Sequence, residues 1–152
     1  MQNEELKTII AELLPAAAFE EGGEWLTVQV EAADLLALAG KLSNNPELNF
    51  NYLFCLTCVD WKTHLTMVYH LRSTQYNHHL VLKVKLNRDQ PDVETLSAIW
   101  RTAEFHEREV YEMFGVNFLN HPDLRLLILP DGWEGKNPLR KDFEDPINMI
   151  KL

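Results

Sequence analysis

The chain has 152 residues, 46% of them hydrophobic, which is one domain's worth and enough to bury about 70% of the surface that the unfolded chain exposes. Its formal charge of -9 works against nucleic acid or an anionic membrane surface as a direct partner, because both would repel it. The start Met1-Gln2-Asn3-Glu4-Glu5 is acidic where a secretory signal is basic, and no apolar run approaches the roughly 20 residues that cross a bilayer, so the expected location is cytoplasmic.

Leu6, Ile9, Ile10 and Leu13 form a helical stripe that Pro15 ends. Glu21-Gly22-Gly23 reads as a turn, and Trp25 to Val30 alternates as a strand. Leu35, Leu38, Ala39 and Leu42 mark a second helix, stopped by Ser43-Asn44-Asn45-Pro46. Three strands follow, Phe50 to Asp60, Leu65 to Arg72 and His79 to Leu86. Their links, Lys62-Thr63-His64 and Ser73 to Asn77, are short enough to require antiparallel neighbours. Leu80, Leu82, Val84 and Leu86 alternate with His79, Lys83 and Lys85, so one face of the sheet meets the core and the helices must cover it. Asp92 is an expected N-cap for a helical stretch that starts at Leu96, Ile99, Trp100 and Ala103 and runs to Phe114, with Gly115 placed to end it.

Cys55 and Cys58 are the only cysteines. Their spacing invites a redox or metal reading, but on a strand positions 55 and 58 point to opposite faces, and a zinc site would need a second cluster. They read as structural thiols.

Beyond Gly115 the periodicity stops. Asn117 to Leu152 holds four prolines together with Phe118, Leu127, Ile128, Trp133 and Phe143, all expected to be exposed. The stretch is too apolar for a disordered linker and too broken for a domain. The expected organisation is therefore an α+β domain over 1–116, a small mainly antiparallel sheet covered by helices, and an extended C-terminal arm over 117–152. Such an arm is stable when partner surface offsets its ordering entropy, with Arg125, Arg140, Lys141 and Trp133 as anchors; the alternative is an arm folded back over its own sheet.

Glu107, Val110, Tyr111 and Phe114 fall at i, i+3, i+4 and i+7, which places the Glu107 carboxylate among large apolar side chains. A charge held there needs a cation or several donors, and Arg125 and Arg140 are the candidate partners. Glu104, Arg108 and Glu112 read as an i, i+4 ion-pair ladder. His106-Glu107 lacks the second histidine of a zinc-protease helix, since position 110 is Val110. Glu109, Glu112, His121 and Asp123 are a looser candidate metal cluster. His64, His70, His78 and His79 share no face with an acid and a nucleophile. There is no glycine-rich phosphate loop, no nucleophile elbow and no cysteine set for an iron–sulfur cluster.

Glu107-Arg108-Glu109, then Glu112, Met113-Phe114, His121 and Arg125, follow one another at the spacing of a known signature. Trp133, Gly135 and Pro138-Leu139-Arg140-Lys141-Asp142 match its closing motif, and Val59-Asp60-Trp61 and Tyr69-His70-Leu71 match weaker landmarks. On these residues the chain resembles the C subunit of the respiratory NADH-quinone oxidoreductase, complex I, and its plastid and cyanobacterial relatives. It departs from them at Leu126, where a second basic residue is usual, and at Lys136-Asn137, where one residue is usual.

The resemblance implies a non-catalytic core subunit of the peripheral arm of a proton-translocating NADH-quinone oxidoreductase, one that supports assembly of the quinone-reducing module and electron transfer from NADH to quinone. It implies no cofactor on this chain, with FMN and iron–sulfur clusters in other subunits. The implied partners are chiefly the quinone-site D subunit and the cluster-bearing B subunit, at the cytoplasmic face of the cell membrane, with membrane association indirect. Glu107, Arg108, Glu109, Glu112, His121, Asp123, Arg125, Trp133, Pro138, Arg140, Lys141 and Asp142 are the expected subunit interface. The rival readings are the equivalent subunit of a membrane-bound hydrogenase or ferredoxin-plastoquinone oxidoreductase, and a free-standing metal enzyme using the acid and histidine cluster.

Overall fold

A computed structural model describes residues 2–149. Residues 1 and 150–152, the last of which belong to the expected arm, lie outside the described residues. In chain order the elements are α1 (Asn3–Leu13), β1 (Ala18–Glu20), β2 (Leu26–Gln29), α2 (Ala32–Asn44), β3 (Tyr52–Asp60), β4 (Leu65–Ser73), β5 (His78–Leu86), β6 (Asp92–Glu94), α3 (Ala103–Phe114) and β7 (Asn117–Leu119). Five strands form one sheet in the order β1-β2-β5-β4-β3. All its pairs are antiparallel except β2 with β5, which is parallel. The fold is α+β with a mainly antiparallel sheet, as expected.

The alternation that marked the strands sets the core. Register pairs Leu71 with Leu80, Tyr69 with Leu82 and Met67 with Val84 across β4 and β5. It pairs Leu56 with Tyr69 and Cys58 with Met67 across β3 and β4. These side chains pack with Leu6 and Ile10 of α1, Leu35, Leu38 and Leu42 of α2, and Val110 and Phe114 of α3, so the apolar stripes of all three helices meet one face of the sheet. Cys55 stands opposite His70, on the other face from Cys58. The two thiols are free, and burial pushes that of Cys58 up to about 12. On the helix-free face Trp25 stacks on His79 with centroids 4.6 Å apart and meets Phe54 and His70 edge-on, which accounts for two of the four unassigned histidines.

The third helix begins later than its periodicity suggests. Asp92 is not an N-cap but the first residue of β6, and β6 pairs in parallel with β7. Ile99 and Trp100 donate their amides to the Leu96 carbonyl and Ala103 to that of Trp100, so short turns reproduce the helical spacing of 96, 99 and 100 without a continuous helix. The side chains explain the break: Trp100 Nε1 donates to the Phe50 carbonyl at 2.9 Å and Thr102 Oγ1 to that of Leu53 at 2.7 Å. Both cap the outer edge of β3, a sheet edge that needs covering. Gly115 ends α3 in the left-handed region at φ 78°. A Cβ there would lie 2.6 Å from Asn137 Nδ2, so the glycine also lets the later segment approach the helix end.

The boundary expected at 116/117 cuts through this small second sheet. Phe118 is buried at 2% exposure rather than exposed, because β7 finds in β6 a partner strand that lies too far away in sequence to be seen as local periodicity.

Candidate functional site

Every turn of α3 presents a polar group to the segment that follows β7. At the first turn, the Glu104 carbonyl accepts from His121 Nε2 at 2.9 Å. One turn on, Arg108 is buried and donates to the carbonyls of Arg125 (Nε, 3.1 Å) and Leu126 (Nη2, 2.6 Å). One further turn on, the Glu112 carboxylate, 1% exposed, accepts the amides of Leu127, Ile128 and Leu129 at 2.9 to 3.1 Å. At the C-terminus the Met113 carbonyl accepts from the Leu139 amide, and the Phe114 carbonyl from Arg140 Nε at 2.6 Å. Residues 121–140 thus track α3 from its first turn to its last.

This geometry corrects the ion-pair ladder expected for Glu104, Arg108 and Glu112. Arg108 and Glu112 are spaced at i, i+4, but neither binds the other. The cation takes carbonyls and the anion takes amides of one loop, and each ionic group gains charge-assisted hydrogen bonds that an exposed pair does not supply. The loop's backbone is satisfied and its side chains are turned outward: Leu127 is 38% exposed and Ile128 64%. On α3 itself Phe105 is 56% exposed and lies 5.5 Å from the Arg108 guanidinium that holds the loop.

A second node fastens the end of the segment. Asp60, the last residue of β3, is 3% exposed and accepts Arg88 in bidentate fashion at 2.8 and 2.9 Å. It also accepts the amides of Lys62 and Lys141. Hydrogen bonds from Arg88 hold the Asp60 carboxyl well below the usual carboxylate range, against the opposing effect of burial. Arg88 continues to Asp142, and Arg140 reaches the Arg88 carbonyl. Sequence reading left out Arg88. The position of Asp60 was legible, since it shares parity with Leu56 and Cys58 on the core-facing side of β3.

Glu107 has no arginine. It is 0% exposed and accepts from the Thr95 hydroxyl and from the Leu96 amide at 2.8 Å. Arg125 instead pairs with Asp123 in solvent, and Arg140 is committed to carbonyls. Burial, partly countered by Thr95 and Leu96, raises the Glu107 carboxyl to about 7. Of the two expected ways to hold this carboxyl, the arginine is not found and the donors are: Thr95 and Leu96 supply them, and burial still leaves the group above its ordinary value.

The rest of the expected interface divides in two. Glu109 faces solvent, and Asp123 and Arg125 form a surface pair. Trp133 is half-buried, with Lys136 Nζ 4.5 Å above its ring and Phe143 beside it. Pro138, Arg140, Lys141 and Asp142 form the fastened end. The candidate metal cluster does not assemble: Glu112 is saturated by three amides, His121 holds Glu104 and Asp123, and no metal-binding group of three such side chains occurs among the described residues. No described helix is long and apolar enough to cross a membrane.

Comparison with known proteins agrees with this picture. A family model described as "Respiratory-chain NADH dehydrogenase, 30 Kd subunit" matches residues 28–147. The NADH-quinone oxidoreductase C subunit of Moorella thermoacetica is 40% identical over 133 residues, covering 86% of this chain and 88% of that protein. The F(420)H(2) dehydrogenase C subunit of Methanosarcina mazei is 41% identical over 99 residues, covering 64% and 63%. The NADH-quinone oxidoreductase C/D subunit of Phocaeicola vulgatus is 41% identical over 106 residues, covering 68% of this chain but only 20% of that longer protein. Among solved structures, a chain of the membrane-bound sulfane sulfur reductase, an archaeal respiratory membrane complex, superposes with a TM-score of 0.81 at 30% identity over 93% of this chain and 85% of that one. A trypsin-resistant fragment of Nqo5 shares the fold, with a TM-score of 0.68 at 24% identity over 82% of this chain and all of that fragment. With the signature residues assembled along α3 and the match extending from β2 to the end of the fastened segment, the chain belongs to the family of the respiratory-chain NADH dehydrogenase 30 Kd subunit, which is the C subunit of NADH-quinone oxidoreductase.

Proposed function

We propose that this chain is a non-catalytic scaffold subunit of the peripheral arm of a proton-translocating NADH-quinone oxidoreductase. It supports assembly of the quinone-reducing module, and so electron transfer from NADH to quinone, by presenting a preformed apolar strip to a neighbouring subunit. The observation that carries this is the division of labour on α3. Arg108 and Glu112 hold a loop by its backbone, while Phe105, Leu127 and Ile128 stay in solvent. Exposed aliphatic and aromatic side chains on a fixed backbone are what a protein interface needs, since little ordering entropy is then lost on binding.

The chief partners are the quinone-site D subunit and the cluster-bearing B subunit. The former is favoured by the Phocaeicola relative, whose name joins C and D in a single protein. The chain lies at the cytoplasmic face of the membrane, attached through the complex. It binds no flavin, iron or other cofactor itself; FMN and iron–sulfur clusters belong to other subunits. A second reading has support from the Methanosarcina relative, named for F(420)H(2) dehydrogenase: the same scaffold in a complex with another electron donor, such as a hydrogenase or a ferredoxin-using enzyme.

The double substitution L127D/I128D tests the proposal. The free protein is expected to keep its melting temperature while it no longer copurifies with the quinone-site partner, and quinone reductase activity of membranes falls with the loss of the complex. A fully assembled, active complex carrying both aspartates would refute the assigned strip, and a stoichiometric flavin or iron in the purified chain would refute the non-catalytic role.

A further inference from the structure

The Glu107 carboxyl is enclosed by groups from every element around it, and none of these among the described residues is an arginine or lysine free to pair with it. On α3 itself, Arg108 is turned to the carbonyls of Arg125 and Leu126, and Glu112 to the amides of Leu127, Ile128 and Leu129. From β4 comes Tyr69, 0% exposed, whose hydroxyl has no hydrogen-bond partner among the described residues; the Cys58 thiol of β3 lies near that hydroxyl. The loop after β6 supplies the Thr95 hydroxyl and the Leu96 amide. The turn after β7 supplies His121, with Nε2 at 3.9 Å and the side chain fully buried.

His121 is fixed by its own contacts: Nε2 donates to the Glu104 carbonyl at 2.9 Å, and Nδ1 accepts the Asp123 amide at 3.0 Å, which shapes the turn. The turn closing this side of Glu107 is fastened by a handful of hydrogen bonds: Thr95 amide to Leu119 carbonyl, Asn120 Nδ2 to Glu94, His121 amide to Phe118 carbonyl and His121 Nε2 to Glu104 carbonyl. The other walls, α3 and Leu96, are anchored in the core. Relief of a charge on Glu107 therefore comes most easily from the turn.

We propose that the turn Leu119–Asp123 is a proton-operated latch over α3: with Glu107 protonated the turn is closed, and loss of that proton opens it and loosens the start of the segment that runs along the helix. The latch belongs to this chain alone and does not rest on the docking strip proposed above.

The sign follows from the two states of Glu107. In the closed turn the carboxyl keeps its proton up to about pH 7. In the open turn it is solvated and ionises near its ordinary value of 4.5. Between these limits each opening releases one proton, so opening becomes about tenfold easier per pH unit; above the upper limit Glu107 is ionised in both states and the dependence stops. From pH 5 to pH 7 the amides of the turn are thus expected to lose about fortyfold of their protection.

Hydrogen exchange on the full chain, corrected for the intrinsic rate at each pH, tests this. The expected result is about a fortyfold fall in protection for the amides of residues 119–125 between pH 5 and pH 7, a plateau above, and exchange at least tenfold faster than in β4 and β5 throughout. In E107Q the protection of the turn is expected to be constant over the same range. A flat profile in the parent, an unchanged slope in E107Q, or turn amides exchanging only with the sheet would overturn the latch. If E107Q does not fold, the carboxyl carbon resonance of Glu107 in the parent decides: a titration midpoint near 7 supports the latch, and one in the ordinary carboxylate range overturns it.

Discussion

The sheet β3–β4–β5 and the segment 121–142 are both fixed, but by opposite means. In the sheet, backbone groups satisfy one another along ladders, and stability comes from side chains such as Leu71, Tyr69 and Leu82 that leave water. In the segment the roles are reversed. Its backbone is satisfied by charged side chains of α3 and β3, and many apolar side chains of the C-terminal stretch stay outside: Leu127, Ile128, Leu139, Ile147 and Met149 are all exposed. A chain held this way needs no periodicity and no hydrophobic core of its own. It also offers its side chains to another molecule, which a strand in the sheet cannot do.

Substitutions separate the two means. The largest effect is expected in the sheet: Leu71→Ala leaves a cavity at a fully buried position and should lower the unfolding free energy by about 2–5 kcal/mol. Denaturant midpoints followed by two probes of the whole fold should fall together. Next comes Asp60→Ala, which strips Arg88 of a bidentate partner and leaves the Lys62 and Lys141 amides without an acceptor; about 3 kcal/mol is expected. Because the Asp60 carboxyl is held low in the folded chain, its contribution is present above the unfolded value near 4 and is lost as pH falls toward the depressed one. The parent should therefore weaken in acid below about pH 4 more steeply than the variant. A parallel acid profile would remove Asp60 from the list of stabilising groups.

Glu112→Ala should act locally. Three amides lose their acceptor, about 1.5–3 kcal/mol of closing energy for the loop, while the sheet keeps its core. Exchange at residues 127–129 should rise by at least tenfold with a much smaller change in the global midpoint, and an equal loss in both would show that the loop and sheet unfold as one unit. The smallest effect is expected for Arg125→Ala. It removes a solvent-exposed pair with Asp123, so the midpoint should not move measurably. A clear destabilisation would mean that Arg125 does more than its surface pairing indicates.

These expectations also locate what a linear reading finds. Helices α1 and α2 and the strands β3, β4 and β5 were legible because each buries one face against the core, and burial of one face imposes a period of 3.6 or 2 on the sequence. The short β1 is not legible, and β6 reads as the start of a helix, because three-residue strands carry too little alternation to be distinguished from a turn. The family signature was legible as spacing. Its chemistry was not, because an i, i+4 Arg108–Glu112 pair reads the same whether the two ions meet each other or each grips the backbone of a loop.

By itself the sequence determined the fold class, the order of the main elements, the core face of the sheet and membership of the family, since all of these follow from local periodicity and from residues close in the chain. Only the tertiary structure decided where Glu107 finds its donors, that Arg88 joins Asp60 to Asp142, that β7 belongs with β6, and that the signature charges hold the chain's own segment while aliphatic neighbours face outward. The physical reason is range. Periodicity records which side of an element leaves water, whereas the partner of a buried charge is whatever the folded chain brings within about 3 Å, and here, apart from the Lys62 amide beside Asp60, those partners lie 11 to 81 residues away.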